Sequence, residues 1–386
     1  MSGNWEWHAP AATAVPVLLA ATLVWAAPIA VQRLRWSVLL LSGWASSAAL
    51  TVSLAAVDGL QAIAEPLDTR FEYRAVLGRI DEQGIADFVR DFVDRLPGYP
   101  THVRGHPVAM PRVFWVQEQV GLTGASWSAA LVIGVGTSVV VSVAVVVRLL
   151  AGEAIARASV PFLAIGPSLV WVGTSADGFF AGVIALAVLC FALAVDRDGT
   201  MSLLLAGAAG ALGAFALHLT YGAVLMLLPL LALAIRSRRW SPAVAAVGGA
   251  SAVTLVFVAA GFWWFDGLAA TQVEYERGAG GYRPYWYFAT LGNPGAFLLA
   301  LGPAVAVALA RLRDARLWWL AGAALVGVVI ADVSGLSKGE VERIWLPFVP
   351  LLAVAAAGLP KPNIRWWLAA QATAAILLQI GLDSPW

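Results

Sequence analysis

Long apolar runs constrain this chain more than any other feature of its sequence. Twelve runs, each roughly 16–24 residues long, are nearly free of charge. Inside a bilayer the backbone must satisfy its own hydrogen bonds, so only helices and closed barrels can span it. The runs are continuous rather than alternating, which predicts helices. The predicted spans are 12–32, 36–57, 126–147, 158–176, 178–195, 201–218, 219–235, 241–264, 294–310, 317–333, 345–360 and 365–382.

Composition excludes an ordinary soluble domain. Of 386 residues, 60% are hydrophobic and only 12% are charged, with a mean hydropathy of +0.80. A soluble domain needs a larger polar surface than this. The net charge of +1 gives no reason to expect a nucleic-acid partner, and the single Cys190 excludes an internal disulfide.

The charges of the connecting segments alternate in sign along the chain. One set of connections carries 13 basic and four acidic residues, a net +9, and the other set carries a net −8. The basic connections are short, so the positive-inside rule places them in the cytoplasm. We therefore expect an all-α polytopic transmembrane bundle of about 12 spans in the cell (plasma) membrane, with both termini outside.

Two extracytoplasmic loops are long, at 58–126 and 265–293, and the whole chain, 1–386, is expected to form one membrane domain. The first loop contains a predicted amphipathic helix over 81–96, whose apolar residues fall on one helical face. This helix is too short and too acidic to span, so we expect it at the membrane interface or on the bundle.

The first loop also carries two carboxylates suited to acid–base chemistry. Asp68 and Glu72 are four residues apart, so their side chains share a face if this stretch is helical. A carboxylate near the bilayer interface can act as a general base, because partial desolvation raises its pKa. Each residue taken alone is more typical of a solvated loop side chain, and it is the convergence of the polar residues in one loop that favours a functional role.

Cations accompany these carboxylates. Three arginines of the loop can hold a phosphate, since guanidinium matches phosphate bidentately: Arg70, Arg74 and Arg104. His102 and His106 have the chemistry to bind phosphate, shuttle protons or pack. Their spacing also suits a metal, but Gly105 and Pro107 disfavour the helix that such a site needs.

Two further polar clusters lie at span ends. Asp177 is the only acid between two apolar runs, and it fits either a functional group or a helix-end cap. Lys338, Glu340, Glu342 and Arg343 lead directly into an apolar span. An arginine at membrane depth needs an acidic partner or an anionic ligand, and a local Glu–Arg pair is the simpler of the two.

The second long loop is rich in aromatic residues. Tyr282, Arg283 and Tyr285 follow a glycine-rich stretch. Such aromatics suit an interfacial belt or stacking on a sugar ring, and the glycines favour a mobile substrate loop.

These elements together resemble the GT-C superfamily of integral membrane glycosyltransferases, in the branch of protein mannosyltransferases and aminoarabinose transferases. The closest similarity is Lys338-Gly-Glu-Val-Glu-Arg-Ile-Trp345. His102-Val-Arg-Gly-His-Pro107 is similar to a His-Pro-Pro-Gly stretch of bacterial members, although Val108-Ala109 replaces the second Pro and the Gly. The resemblance covers most of 36–358.

The resemblance implies transfer of a sugar from a polyprenyl-phosphate donor to a hydroxyl acceptor (glycan, lipid or protein) on the extracytoplasmic side, in cell-envelope glycan biosynthesis. It implies that Glu72 or Asp68 is the base, with Glu72 preferred, and that Asp177 is a second acid. The residues that it places at the donor phosphate are Arg104, His106, Lys338 and Arg343, and those of the substrate loop are Glu340, Tyr282, Arg283 and Tyr285. Whether a divalent cation, Mg²⁺ or Mn²⁺, takes part is left open by the resemblance, and Asp68 and Asp177 are the ligands to consider.

Two other classes remain. A transporter or lipid flippase is expected to show repeats and charges at mid-span, whereas the ionisable groups here collect at span ends. A non-catalytic membrane assembly subunit shares the helices but does not require an acid beside cations. The sequence does not choose between a hexosyl and a pentosyl donor.

Overall fold

Each of the twelve apolar runs contains helix among the residues that the structure describes, and residue 174, in the run predicted at 158–176, lies outside those residues. The structure, a computed structural model, describes residues 3–173 and 175–383. Among these residues, eight helices are long and apolar enough to cross a membrane: Ala11–Arg33, Trp36–Asp58, Ala125–Ala151, Asp177–Asp196, Gly199–Leu219, Ser241–Ala259, Tyr285–Ala310 and Ala315–Val333. The predicted class, an all-α polytopic bundle, is confirmed.

The remaining apolar runs form shorter or interrupted helices. Two are Tyr221–Ser237 and Leu346–Gly358, and the last is Ile364–Gly381. The run predicted at 158–176 divides into Glu153–Ala164 and Leu169–Val172. Gly166 and Pro167 lie between these two pieces, and proline cannot supply the N–H that would continue the helix.

Other breaks subdivide the long helices. Ala125–Ala151 consists of Ala125–Thr137 and Val139–Ala151. Asn293–Ala310 contains Gly302 at φ +77°, directly before Pro303, so two helical pieces meet at a kink there.

Segments near the two ends of the described chain lie side by side. Strands Asn4–Trp5 and Leu382–Asp383 pair antiparallel, with Asn4 opposite Asp383. This short ladder joins the segments that flank the first and last apolar helices.

The first long loop is folded, but its predicted helix over 81–96 is wrong in extent. Helices Leu77–Gln83 and Ile85–Arg90 meet at Gly84, whose φ is +84°. A positive φ suits glycine and ends the helical hydrogen-bond ladder. Residues 91–98 then form turns and a short 3-10 segment.

The predicted apolar face is buried as expected. Phe88, Phe92 and Leu96 are fully enclosed, and the Phe92 ring lies 5.8 Å from that of Phe262, beyond the end of Ser241–Ala259. This part of the loop therefore packs on the bundle.

The rest of the first loop and the second loop are also helical. The first contains Thr101–Gly105 and Ala109–Gln119, and the second contains Trp264–Arg277, Ala279–Tyr282 and Tyr285–Tyr287. The Thr271 hydroxyl donates to the Arg104 carbonyl at 3.0 Å, joining the loops. We call the side of the bundle that both loops cover the loop face.

Candidate active site

Arg343 is the centre of a buried polar cluster. It lies on the short helix Val341–Ile344, and its side chain is only 4% exposed. Its Nη1 donates to Asp177 Oδ2 at 2.7 Å, and the Ser175 hydroxyl donates to the same oxygen at 2.6 Å. Asp177 opens the helix Asp177–Asp196 and is also buried. A buried guanidinium is tolerated only when its charge is paired in this way.

Glu340 joins Arg343 to the second loop. Its Oε2 accepts from Arg343 Nη2 at 2.8 Å, and its Oε1 accepts from Arg283 Nη2 at 3.3 Å. Burial acts to raise the pKa of Glu340, but Arg343 and Arg283 outweigh it, so the pKa is lowered. Glu340 is therefore a carboxylate that bridges two arginines.

The backbone at Glu340 has an uncommon conformation. Its φ is +62°, and the preceding Gly339 has a φ of +94°. A non-glycine residue in the left-handed region costs free energy. The ion pairs hold Glu340 in a conformation that the backbone alone disfavours.

His102 connects Arg343 to Glu72. Arg343 Nη2 lies 3.0 Å from His102 Nε2, and His102 Nδ1 lies 2.5 Å from Glu72 Oε1. A guanidinium can only donate, so Nε2 must accept and the imidazole proton must sit on Nδ1. His102 thus donates from Nδ1 to Glu72.

One oxygen of Glu72 remains without a donor. Glu72 is 2% exposed, and its Oε2 accepts no hydrogen bond from any described residue. A buried carboxylate oxygen without a partner is costly unless something else occupies that position. We refer to Glu72, His102, Asp177, Glu340 and Arg343 as the buried cluster.

Aromatic rings close one side of the cluster. The ring of Tyr73 lies 6.2 Å from that of His102, 5.8 Å from that of His106 and 6.4 Å from that of Phe180. His106 Nδ1 donates to the His102 carbonyl at 2.9 Å. Burial lowers the pKa of His106 to about 4, although Asp177 opposes the shift. His106 therefore offers the site a neutral ring.

The predicted substrate-loop residues surround the segment 333–340. Arg283 Nη1 donates to the Lys338 carbonyl at 2.5 Å, and the Tyr285 hydroxyl donates to the Val333 carbonyl at 2.8 Å. Tyr282 is 74% exposed. The structure thus brings Arg283 to the cluster through Glu340, while Tyr282 points away from the protein.

Lys338 faces the second loop. Its Nζ donates to the Gly280 carbonyl and lies 4.0 Å from Glu276 Oε1. Its backbone N–H donates to the Tyr275 hydroxyl at 2.8 Å. Lys338 is two residues from Glu340 but makes no ion pair with the buried cluster among the described residues.

Asp68 and Arg104 lie outside the cluster. Asp68 pairs with Arg74 at 3.0 Å, and its side chain is 61% exposed. Arg104 lies 3.5 Å from Glu274 of the second loop. Asp68 ends a 3-10 segment and Glu72 is extended, so the two carboxylates do not share a helical face.

The described residues do not fit a divalent cation at Asp68 and Asp177. These side chains belong to separate ion pairs, and Arg343 and Ser175 occupy Asp177 Oδ2. Residues 3–173 and 175–383 contain no group of three or more His, Cys, Asp or Glu that could hold a metal.

His102 belongs to the buried cluster, although the resemblance assigned a role in phosphate binding to His106 and none to His102. The turn Thr101–Gly105, which the sequence disfavoured, directs His102 inward and leaves His106 just beyond its end. The sequence around Thr101–Gly105 does not show which imidazole faces Glu72, because Glu72 is 30 residues away from His102.

Comparison with known proteins bears on the fold. No protein-family model matches the sequence, and no curated protein matches it. Among solved structures, the crystal structure of ArnT from Cupriavidus metallidurans in the apo state matches 80% of this chain, with a TM-score of 0.50 and 16% sequence identity. The fold of this chain is thus similar to that of ArnT.

The match covers only part of the ArnT chain. This chain spans 60% of the length of that ArnT chain. At 16% identity the similarity describes the arrangement of the helices alone, because one fold can host many functions. The chain is a multi-pass membrane protein with the buried cluster on its loop face.

Proposed function

We propose that this protein is a membrane glycosyltransferase. It moves a sugar from a polyprenyl-phosphate donor to a hydroxyl acceptor at the loop face, which we assign to the extracytoplasmic side of the plasma membrane. The observation that carries the proposal is a buried carboxylate, Glu72, with one oxygen unpaired. His102 links Glu72 to Arg343, and Glu340 links Arg343 to Arg283. The GT-C-like fold supports it.

Glu72 is the proposed general base. His102 holds its Oε1, which leaves Oε2 to accept the proton of an acceptor hydroxyl. The acceptor oxygen then bonds to the anomeric carbon of the sugar. The bond between that carbon and the phosphate oxygen breaks, and polyprenyl phosphate leaves with the electron pair.

Arg343 and Arg283 are the proposed partners of the leaving phosphate. Both already bind one shared anion, the Glu340 carboxylate. Guanidinium groups also donate strong hydrogen bonds to phosphate oxygens. Exchanging the Glu340 carboxylate for a phosphodiester, each with one negative charge, leaves the local charge balance unchanged.

The remaining predicted residues receive supporting roles. Asp177 fixes the Arg343 guanidinium, which orients its second edge toward Glu340. Lys338 and Arg104 connect to the second loop and reach the donor only if that loop moves. Tyr282 and Tyr285 are proposed to contact the sugar or the acceptor. We further propose that the whole chain works as one membrane domain.

The proposal is tested by reconstituted transfer. Purified protein in liposomes receives labelled polyprenyl-phosphate mannose or arabinose together with glycan, lipid and peptide hydroxyl acceptors. We expect label on an acceptor and release of polyprenyl phosphate. The double variant Asp68→Asn with Glu72→Gln should abolish transfer while keeping a wild-type melting temperature, and full activity in it rules out the assigned base.

One alternative function follows from the ion pairs that the cluster residues make with one another. Its ion pairs also suit a non-catalytic assembly subunit, in which Arg343, Asp177 and Glu340 only lock the loops to the helices. In that case Glu72→Gln lowers the melting temperature, and no transfer is found with any donor. If the protein is an enzyme, Glu72→Gln keeps the wild-type melting temperature, and the wild-type protein transfers sugar from at least one donor.

A further inference from the structure

Arg112 is a half-buried cation that the proposed chemistry does not use. It lies in the first-loop helix Ala109–Gln119. Its guanidinium sits 5.1 Å from the centre of the Phe257 ring. Burial lowers the pKa of Arg112, and no neighbouring acid offsets that shift.

Arg112 differs from the other arginines of the loop face. Seven of them lie within 4.0 Å of a carboxylate: Arg74, Arg90, Arg95, Arg104, Arg277, Arg283 and Arg343. Arg70 and Arg79 stack on aromatic rings but are exposed to solvent. Within 3–173 and 175–383, Arg112 is the half-buried arginine of this face that makes neither an ion pair nor a hydrogen bond.

The ring beneath Arg112 is fixed at the loop-face ends of two spans. Phe257 lies two residues before the end of Ser241–Ala259. On it stacks His218, near the end of Gly199–Leu219, with ring centres 3.8 Å apart and planes 13° from parallel. Arg112 is therefore held near the level where a bilayer places its head groups.

The surface around Arg112 is apolar. Val116 lies one helical turn beyond Arg112, on the same face, and is 51% exposed. Leu255 and Val256 precede Phe257 in Ser241–Ala259 and are 63% and 61% exposed, on the outward side of that helix, whereas Phe257 itself is buried. Arg112 thus has one exposed aliphatic side chain next to it on its own helix, and the span that carries its ring exposes aliphatic side chains on its outward side.

We propose that Arg112 and the exposed apolar surface beside it form a binding site for the phosphate head group of an anionic lipid, separate from the buried cluster. The phosphate pairs with the Arg112 guanidinium, which stacks on Phe257. The acyl or prenyl chain lies along the exposed residues of Ser241–Ala259.

A lipid phosphate fits this site better than a free phosphate does. Arginine pairs bidentately with phosphate oxygens, and an unpaired arginine at membrane depth is costly. A dissolved phosphate would leave Val116, Leu255 and Val256 uncovered. A lipid supplies the anion and covers the apolar surface in one molecule.

The test is lipid binding measured by native mass spectrometry on the full-length protein in detergent. Two probes are titrated separately: phosphatidylglycerol, a bulk phospholipid, and undecaprenyl phosphate, the lipid part of a donor. We expect Arg112→Gln to lose one bound lipid per chain, or to bind it about tenfold or more weakly. Arg79→Gln, which removes an exposed arginine from a ring, should bind like the wild type.

The two probes identify the source of the phosphate. An Arg112-dependent loss with both probes indicates a general lipid-phosphate site. A loss with one probe alone assigns the site to that lipid. Unchanged binding of both probes in Arg112→Gln overturns the proposal.

A second measurement avoids any folding defect of the variant. Wild-type protein is labelled with phenylglyoxal, an arginine reagent, with and without each probe lipid, and the labelled peptides are mapped. The proposal predicts protection of Arg112 and no protection of Arg79. Equal labelling of Arg112 with and without lipid contradicts it. Both measurements read binding, so they succeed or fail independently of sugar transfer.

Discussion

At the scale of single residues, the cluster is organised by one arginine that can only donate. Arg343 fixes the tautomer of His102 and thereby the free oxygen of Glu72. The need of Arg343 for an acidic partner was predictable from its position at a span end. Its pairing with Asp177 was not, because the two residues are 166 positions apart.

Glu340→Gln tests whether Glu340 holds the place of the donor phosphate. Gln keeps the size but removes the charge that competes for Arg343 and Arg283. We expect the donor to bind several-fold more tightly, at a cost in melting temperature because a buried pair is broken. Donor binding to purified protein and a thermal melt measure both.

Glu276→Gln is the control for this substitution, since Glu276 is an exposed acid 4.0 Å from Lys338. It should leave both quantities unchanged. Weaker donor binding in Glu340→Gln means that Glu340 positions the arginines and does not stand in for phosphate.

His106→Gln tests the buried neutral imidazole. The pKa of His106 is about 4 in the folded protein and 6.5 without burial. Between these values the unfolded chain binds the proton, so stability falls as pH drops below 6.5, by at most about 1.4 kcal/mol per pH unit. Above pH 6.5 the residue has no such effect. His106→Gln should reduce the loss of melting temperature between pH 7 and pH 5.

His8 provides a control of opposite sign. Its pKa is raised, chiefly by a hydrogen bond to Asp58, so it stabilises the fold below its unfolded pKa and loses this effect as pH rises. His8→Gln should therefore slightly increase the acid loss. An acid loss in His106→Gln equal to that of the wild type contradicts the buried-imidazole account.

At the scale of elements, the helices follow from hydropathy, while their interruptions depend on local chemistry. The twelve apolar runs predict the helices because lipid requires internally bonded backbone. The break at Gly84 and the kink at Gly302 were not predicted. Glycine is tolerated inside helices as well as at breaks, so its presence alone does not locate a positive φ.

The kink at Gly302 is bridged by a side chain from the last helix. Gln371 Oε1 accepts from the Ala304 N–H at 3.1 Å, and its Nε2 donates to the Leu301 carbonyl at 3.0 Å. The amide thus replaces backbone bonds that the kink removes. Its distance in sequence explains why hydropathy alone does not reveal this role.

Gln371→Leu should lower stability without affecting the site. It leaves two buried backbone groups without partners, at about 1–3 kcal/mol each. We expect a clear fall in melting temperature. Binding of the donor and of the probe lipids should stay the same as in the wild type. Gly302→Ala should also destabilise, since a Cβ there would lie 2.2 Å from Gln371 Oε1. A wild-type melt for Gln371→Leu contradicts the bridging role.

At the scale of the whole molecule, the two loops and the span ends converge on one face. The negative sign of that face was predictable from sequence, but several of its acids form pairs at the surface, as Asp87 and Asp91 do. The charges that matter for the proposed chemistry are the few that the fold buries. Their selection depends on packing, which places Glu72 inside and Asp68 at the surface.

This separation of Asp68 from Glu72 permits the most direct test of the central claim. The initial rate of sugar transfer from a polyprenyl-phosphate donor is measured for Glu72→Gln and Asp68→Asn, singly, in the same liposomes. With Glu72 as base, Glu72→Gln loses about 10²–10⁴-fold in rate, and Asp68→Asn stays within a few-fold of the wild type. Near-normal transfer by Glu72→Gln, with the loss appearing in Asp68→Asn, contradicts the account.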